Sequence, residues 1–600
     1  MSVKEKYKRE FAAATADAFR RTYRDIGVQF GNTGPFNEAE ILAAIEHPKD
    51  PQMGWLAVPV HRFSGLLGQS PVKIAASVQS NYQFSKGTAF ATLAVNAFVN
   101  ARVPVNELAT RVLSEALSQG QSYGSLDIGA GKRCLVEYSS PNIAKPFGVG
   151  HLRSTVIGNS LRRIFKKLGY NVTGINYPGD WGTQFGKMIV AYRRWGKPGM
   201  LEGEKAIANL LDLYVRFHAE VETDRSLDEE ARTEFKRLEE GVPEAVRLWE
   251  QFKTISNAEF DRIYGRLGVE FDLVYGESFL NDKMETVIDR LSKAGLTKMS
   301  DGALIVDLHE PNLPPALLRK ADGATLYLTR DLAGAYYRWD RFRFDESLYV
   351  VGSSQADHFK QMIAVISRLE EAEKTLPAER ISARIRHVDF GWVKFGDKTM
   401  STRRGNIIFL EDVLDQAVTL ARSKIREKNP SLAHFEETAQ MIGVGAVIFS
   451  QLSVRRHKDV NFVWEEVLNF EGETGPYLQY THARLCSLAR LYGKPIAADV
   501  DCRLLDKFEE QRILELLADF PETVELAAKN YDPHHVSVYL LRLAGAFNKF
   551  YQRKDSQGRI DKIISENVKL TAARMALVKA VQTVLHEGLY LLGLKAPEEM

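Results

Sequence analysis

One stretch of the sequence, residues 134–179, constrains the fold more than any other, because it predicts a strand, a helix and a strand in succession. CLVEYSS (134–140) has the β-branched, alternating content of a strand. In HLRSTVIGNSLRRIFKKLG (151–169), apolar residues recur at helical spacing and a glycine follows the last of them. YNVTGINYPG (170–179) predicts a second strand. This order indicates a βαβ unit and therefore a parallel sheet of the nucleotide-binding kind.

The remaining sequence predicts further regions around this sheet. Residues 1–125 mix helical stretches with short β-like runs, and the polar, glycine-rich segment that follows indicates a boundary. We expect an α+β N-terminal domain over 1–125, an α/β domain over 126–430 and a helical bundle over 431–600. Charged segments predict helical insertions at about 184–248 and 277–324. TLYLTRDL (325–332), SLYVVGSS (347–354) and RHVDFGWVKF (386–395) are predicted as sheet-like segments.

Charge and cysteine content exclude several classes of protein. Lys and Arg number 79 against 77 Asp and Glu, a net charge of +2, so any nucleic-acid surface must be local. The only cysteines, Cys134, Cys486 and Cys502, contain no CxxC pair, which excludes a disulfide framework and a zinc ribbon. No window supplies the roughly 20 continuous apolar residues of a membrane span. We therefore expect a cytoplasmic protein without a membrane partner.

The loop between the first strand and the helix, PNIAKPFGVGHLRST (141–155), is the strongest candidate for chemistry. Gly148 and Gly150 lack side chains, so a ligand can approach the backbone there. The helix N-terminus near His151 offers N–H groups and a partial positive charge to a phosphate. Lys145 and His151 add donors on the same side. A lone motif of this kind would be explained equally well by a Gly/Pro turn with a capping histidine.

Together with other segments, this loop resembles the signature of arginyl-tRNA synthetases, a family of class I aminoacyl-tRNA synthetases. The first matching segments are PNIAK (141–145) and GHLRST (150–155). The resemblance continues in family order through YPGDWGTQFG (177–186), YLTRDL (327–332), VVGSSQADHFKQ (350–361), MSTRRG (400–405) and GPYLQYTHARL (475–485). The matching segments extend over most of the chain from residue 130 to residue 600.

The resemblance implies an enzyme that activates L-arginine with ATP and passes the arginyl group to the 3′ end of tRNA(Arg), with activation dependent on tRNA. It implies a Rossmann-like catalytic domain with helical insertions, an N-terminal domain that binds the tRNA D-arm, and an all-α anticodon-binding domain. The expected cofactors are ATP and the Mg²⁺ that accompanies it, with no metal site built by the protein. The expected assembly is a monomer.

Roles also follow from the resemblance, residue by residue. Catalytic roles fall on Lys145, His151, Met400, Ser401, Thr402 and Arg403. The ATP site takes Ser140, Gly148, Gly150, His151 and Gln355. The arginine site takes Glu137, Asn142, Tyr327, Asp331 and Gln355. The tRNA contacts are Tyr477, Tyr480, Arg484, Tyr551 and Met600 at the anticodon, with Phe98 and Asn100 at the D-arm.

The chemistry of the substrate agrees with the arginine site. A guanidinium is best recognised by planar acceptors, ideally carboxylates, in a dry pocket. Glu137 and Asp331 can receive the guanidinium, with Tyr327 against it. Asn142 and Gln355 then remain for the α-amino and carboxylate end. Glu277, in YGES, is a further candidate for this region.

Two positions depart from the family pattern, and one loop departs from the general class pattern as the family itself does. Gly148 stands where the HxGH motif usually begins with histidine, and Tyr177 replaces a usual histidine before GDWG. MSTRRG has Thr402 and Arg403 where the general class pattern carries a second lysine, for which Lys145 is expected to compensate. Two other functions stay open: a small-molecule adenylyltransferase of the HxGH superfamily, and a non-catalytic, synthetase-like tRNA-binding protein.

Overall fold

The computed structural model describes residues 2–25, 37–48, 50–63, 68–83, 88–203, 205–308, 313–321, 327–394 and 408–600. The helices are α1 Val3–Asp25, α2 Glu38–Ala44, α3 Pro71–Ser80, α4 Val105–Gln119, α5 Leu152–Lys167, α6 Thr183–Trp195, α7 Ala206–Glu220, α8 Ser226–Glu239, α9 Pro243–Leu267, α10 Met284–Lys293, α11 Tyr327–Phe342, α12 Ala356–Ala372, α13 Leu410–Lys428, α14 Phe435–Leu452, α15 Trp464–Val467, α16 Gly475–Tyr492, α17 Phe508–Lys529, α18 His534–Tyr551 and α19 Val568–Leu592. The strands are β1 Leu56–Pro59, β2 Ala91–Val95, β3 Phe98–Arg102, β4 Arg133–Glu137, β5 Asn171–Asn176, β6 Leu273–Val274, β7 Thr297–Ser300, β8 Ala303–Val306, β9 Ala316–Arg319, β10 Glu346–Tyr349, β11 Ile385–His387, β12 Val393–Lys394 and β13 Val460–Asn461.

A parallel sheet in the order β11-β10-β4-β5-β6 forms the centre of the molecule. The chain runs from β4 outward to β5 and β6 on one side, then returns to β10 and β11 on the other. The strand order therefore reverses between β4 and β10. In open α/β sheets, ligands bind outside the carboxyl ends of the strands at such a switch point. The predicted βαβ unit is confirmed as β4, α5 and β5.

Helix α5 packs closely on this sheet because glycine stands where the two elements touch. A Cβ at Gly158 would lie 2.1 Å from the Cβ of Tyr138, just after β4. The apolar face of α5, including Leu152, Val156 and Leu161, is fully buried. These contacts fix the start of α5, and with it His151, against the carboxyl end of β4.

The N-terminal and C-terminal regions pack against each other, and the C-terminal region also packs against α5. An antiparallel sheet in the order β1-β3-β2 joins helices α1 to α4 in the N-terminal region. The C-terminal region is helical, from α16 through α19. The buried Lys4 ammonium lies 2.7 Å from Asp519 and 2.8 Å from Glu522, both on α17. None of the helices in the described ranges is long and apolar enough to span a membrane.

Two secondary-structure predictions are wrong. TLYLTRDL is predicted as sheet-like, but its described part begins the helix α11. The short window shows alternating aromatic and β-branched residues, whereas the helical spacing of Leu328, Leu332 and Ala335 becomes visible only over the longer segment. The second insertion is also only partly helical, because β7, β8 and β9 form an antiparallel sheet after α10.

Candidate active site

The loop after β4 has an unusual backbone that the surrounding protein stabilises. Ser139, Ser140 and Ala144 all have positive φ, of 72°, 47° and 60°. The backbone N–H of Ser139 donates to the Ser154 hydroxyl at 2.9 Å, and that of Ala144 donates to the Ser256 hydroxyl at 2.8 Å. Strained conformations of this kind persist where neighbours enforce them, and they cluster at functional sites.

A cavity of about 660 Å³ opens at the switch point between β4 and β10. Two loops form most of its wall: the loop after β4 with the start of α5, and the loop after β10. Of the residues predicted for the ATP and arginine sites, it is lined by Ser140, Asn142, Lys145, Gly148, Gly150, His151 and Gln355. The structure therefore brings together seven predicted residues from two distant parts of the sequence.

His151 lines this cavity, and its imidazole ring is neutral at neutral pH. Burial first, and then the positive charge of Lys145, lower the pKa of His151 to about 4. The ring packs edge-on against Phe147, with centroids 5.4 Å apart. At neutral pH, His151 can therefore donate one ring N–H without carrying a charge.

The glycine beside His151 leaves room for a ligand. A Cβ added at Gly150 would meet no atom within 4 Å, so packing within the described protein does not require glycine there. Gly148 has an extended backbone, with φ −86° and ψ 161°, which other residues also adopt. The glycines thus leave the helix start accessible from the cavity.

Next to the cavity, Glu137 at the end of β4 is already paired within the protein. Its carboxylate forms a short ion pair with Arg338 of α11, and both side chains are almost completely buried. The Arg338 guanidinium donates to the Tyr275 hydroxyl at 2.7 Å. It also lies 4.9 Å from the ring of Tyr349 and 5.6 Å from that of Tyr177. Burial raises the pKa of Glu137, and the charge of Arg338 opposes that rise.

Two more carboxylates belong to the same group, which we call the acid pocket: Glu137, Glu277 and Asp331. Glu277 lies 3.1 Å from the guanidinium of Arg330, yet burial raises the pKa of Glu277 to about 7. Asp331 is 2.6 Å from Nε2 of His358. The charge of Asp331 contributes to the raised pKa of both Glu137 and Glu277, so the three carboxylates share one electrostatic environment.

Two of the three carboxylates of the acid pocket are paired with arginine, Glu137 with Arg338 and Glu277 with Arg330. Asp331 is the carboxylate whose partner is a histidine rather than a permanently charged arginine. It is therefore the best placed of the three to receive an external guanidinium.

The other predicted substrate residues differ in their surroundings. Tyr327 begins α11 and is 65% exposed, so its ring is available to a ligand. Met400, Ser401, Thr402 and Arg403 lie outside the described residues. Arg338 and His358 were not among the site residues predicted from the sequence. Arg338 stands at i+7 from Asp331 and so lies on the same face of α11, a signal that requires the segment to be interpreted as a helix.

The residues predicted to contact the anticodon form a cluster of aromatic rings and cations. The Arg484 guanidinium lies 4.9 Å from the ring of Tyr480 and 4.8 Å from that of Tyr551. Asn548 accepts a short hydrogen bond from Arg484 and donates to the Tyr477 hydroxyl at 2.9 Å. All four predicted side chains are partly exposed. Rings and cations in this arrangement suit unstacked nucleic-acid bases.

The remaining tRNA predictions lie at other places. Met600 is partly buried, and its backbone oxygen accepts from the side chain of Asn429 at 3.4 Å. Phe98 and Asn100 both lie on β3, the central strand of the N-terminal sheet. Phe98 is partly exposed, whereas Asn100 is only 4% exposed and does not present its side chain at the surface.

Comparison with known proteins gives matches over the whole length of the chain. Residues 112–464 match a family described as tRNA synthetases class I (R), catalytic domain, and residues 478–600 match the DALR anticodon binding domain. An arginine–tRNA ligase of Ligilactobacillus salivarius is 46% identical over 568 residues, covering 94% of this chain and 97% of that protein. Arginine–tRNA ligase 1 of Bacillus cereus is 43% identical over 597 residues, covering 99% and 100%. In fold, the chain resembles Thermus thermophilus arginyl-tRNA synthetase, with a TM-score of 0.78, 24% identity, and coverage of 98% of this chain and 100% of that one.

Proposed function

The chain belongs to the arginyl-tRNA synthetase family of class I aminoacyl-tRNA synthetases, and we propose that it ligates arginine to tRNA(Arg) with ATP at the cavity beside His151. The observation that carries this proposal is the combination of the cavity with the adjoining acid pocket, in which the Asp331 carboxylate pairs with a histidine rather than an arginine. The match of residues 478–600 to an anticodon-binding domain argues against a small-molecule adenylyltransferase.

On the ATP side, the reaction requires donors near the phosphates. A carboxylate oxygen of arginine attacks the α-phosphorus of ATP, a new P–O bond forms, and the bond to the leaving pyrophosphate breaks. Negative charge builds on the phosphate oxygens in the transition state, and placed donors there contribute most to the rate. The neutral ring of His151, the ammonium of Lys145 and the backbone N–H groups at the start of α5 are the donors assigned to this role.

On the arginine side, Asp331 receives the guanidinium and Tyr327 covers it, while Arg338 and Arg330 stay on the other two carboxylates. Glu137 then acts by shaping the pocket together with Arg338, rather than as the main receptor. Asn142 and Gln355, which line the cavity, remain for the α-amino and carboxylate groups. A lysine ammonium could not form the bidentate pair that a planar guanidinium can form with the Asp331 carboxylate, so selection is made at binding.

Mg²⁺ is expected to arrive with ATP. Among the described residues, no group of three or more His, Cys, Asp or Glu could hold a metal ion, and the described cavity wall contains no carboxylate. Mg²⁺ in such sites is commonly bound through substrate phosphates and water. The ion would supply charge neutralisation on the phosphates, and the roles assigned to the protein residues above do not depend on its position.

Activation of arginine is expected to require tRNA. Since MSTRRG carries no lysine at the position of the general class pattern, we expect tRNA to compensate for the missing cation opposite the phosphates. Arginine-dependent exchange of pyrophosphate into ATP should be about tenfold or more faster with tRNA(Arg) than without it. This ratio corresponds to the free energy of one hydrogen bond to a charged group. Exchange at full rate with arginine and ATP alone would contradict this, and tRNA(Lys) serves as the control.

A second expectation concerns Tyr477 on α16. Tyr477→Ala should raise the KM for tRNA(Arg) roughly 5- to 100-fold, because one stacking platform is worth about 1–3 kcal/mol per base. Tyr492→Ala is the matched control, a partly buried tyrosine of the same helix about 22 Å away along its axis. If Tyr477→Ala loses as much activity with a tRNA that lacks the anticodon arm, Tyr477 is structural.

Other parts of the assignment stay predictions. These are the domain limits at residues 125 and 430, the D-arm contacts of Phe98 and Asn100, the anticodon contact of Met600, the monomeric state and the cytoplasmic location. The roles of Met400, Ser401, Thr402 and Arg403 also rest on the sequence alone.

A further inference from the structure

Lys145, in the loop after β4, lies against an aromatic ring supplied by the first insertion. Its ammonium is 4.7 Å from the ring centroid of Tyr214 on α7, and Tyr214 is 5% exposed. The ring is itself supported, because His218 packs edge-on against it with centroids 4.6 Å apart. The neighbouring residue, Ala144, is tied to α9 through Ser256. Helices α7 and α9 thus both contact the segment that carries Lys145.

An aromatic partner suits a lysine that must act on an anion. A lysine side chain has about 2 kcal/mol of rotamer entropy, so a cation that lines a cavity needs a partner to stay in one place. The face of a ring within about 6 Å attracts the ammonium and leaves its positive charge intact.

The positive charge of Lys145 acts on His151 across the same cavity. This charge contributes to the lowered pKa of His151, and both residues line the same cavity. The ring of Tyr214 therefore supports a cation that acts where the phosphates of ATP are expected.

We infer that Tyr214 is a positioning residue for the reaction: its ring holds the Lys145 ammonium toward the triphosphate, which makes the first insertion part of the ATP site. The inference rests on the proposed function, in particular on the role of Lys145. Neither α7 nor Tyr214 contributes to the described wall of the cavity, so Tyr214 acts through the lysine.

The test compares Tyr214→Leu, which keeps apolar bulk, with Tyr214→Phe, which keeps the ring. In tRNA-supported pyrophosphate exchange, Tyr214→Leu should lower kcat/KM for ATP roughly 3- to 30-fold, the range expected for a cation–π contact. The KM for arginine should change less than twofold. Tyr214→Phe should restore most of the ATP efficiency; a phenylalanine variant as impaired as the leucine variant would overturn the inference.

Phe217→Leu is the matched control for packing. Phe217 is another buried aromatic residue of α7, and its ring lies 5.6 Å from Lys187, which does not line the described part of the cavity. Phe217→Leu should lower the melting temperature without the selective effect on ATP. If Phe217→Leu impairs ATP use as much as Tyr214→Leu does, the effect comes from packing of the insertion and the inference is wrong.

A double-mutant cycle separates this inference from the proposed function. In a Lys145→Gln background, Tyr214→Leu should change kcat/KM for ATP less than twofold, because the side chain through which it acts is gone. Full additivity of the two losses would overturn the inference and leave the role of Lys145 standing. A Lys145→Gln variant with wild-type efficiency would overturn both.

Discussion

Asp331→Asn is expected to raise the KM for arginine about 100-fold or more while the KM for ATP changes little. The substitution keeps the shape of the side chain and removes the negative charge that the guanidinium requires. Arg338 and Arg330 already pair with Glu137 and Glu277, the other two carboxylates of the acid pocket. Neither of these two carboxylates is therefore available to replace Asp331. Loss of one partner of a desolvated charge pair costs about 3–5 kcal/mol.

The measurement is pyrophosphate exchange at varied arginine and at varied ATP, with tRNA(Arg) present. Asp340→Asn is the matched control, a carboxylate of the same helix whose side chain is 73% exposed. It should behave as the wild type. An unchanged KM and kcat for arginine in Asp331→Asn would remove Asp331 from the site, and an equal rise in both KM values would indicate general damage.

His151→Ala should lower kcat about 100- to 1000-fold, the usual cost of deleting one donor placed for charge that develops in the transition state. His457→Ala, at an exposed histidine outside the cavity, is the control. Gly148→His, by contrast, should raise activity less than tenfold. The backbone of Gly148 is extended, a conformation open to any residue. Lys145, Arg403, a bound Mg²⁺ or the backbone N–H of Gly148 is expected to fulfil that role already.

The contrast between these two variants tests whether the departure at Gly148 is compensated. A wild-type chain that forms no arginyl-tRNA, and that Gly148→His rescues 100-fold or more, would contradict compensation. Such a result would favour the non-catalytic, tRNA-binding alternative for the natural chain.

The parts of the fold that could be predicted from sequence are those in which local pattern and tertiary environment agree. The βαβ unit was predictable because β4 and β5 are continuous buried strands and α5 has a clear apolar face with a terminal glycine. The start of α11 could not be predicted, because Tyr327 and Thr329 favour a strand locally and helical packing overrides that preference. The small sheet β7-β8-β9 was missed within a segment that is otherwise charged and helical.

The candidate site likewise contains residues that could be predicted from the sequence and residues that could not. Lys145, Gly150 and His151 could be found because they share one short loop, whose contiguity brings them to one cavity. The partners of the predicted acids could not be found from the sequence. Arg338 contacts Glu137, and His358 contacts Asp331, only after α11 and α12 pack on the sheet. Tyr214 carries no local signal at all, since its contact with Lys145 depends on where the insertion folds back.

This chain is expected to attach arginine, and no other amino acid, to tRNA(Arg). The most direct measurement incubates the purified protein with ATP, Mg²⁺, tRNA(Arg) and all twenty amino acids, and identifies by mass spectrometry the residue on the 3′ end of the tRNA. We expect arginyl-tRNA alone, and none of it when tRNA(Lys) replaces tRNA(Arg). Absence of charging, or a product carrying lysine or another amino acid, would contradict this expectation.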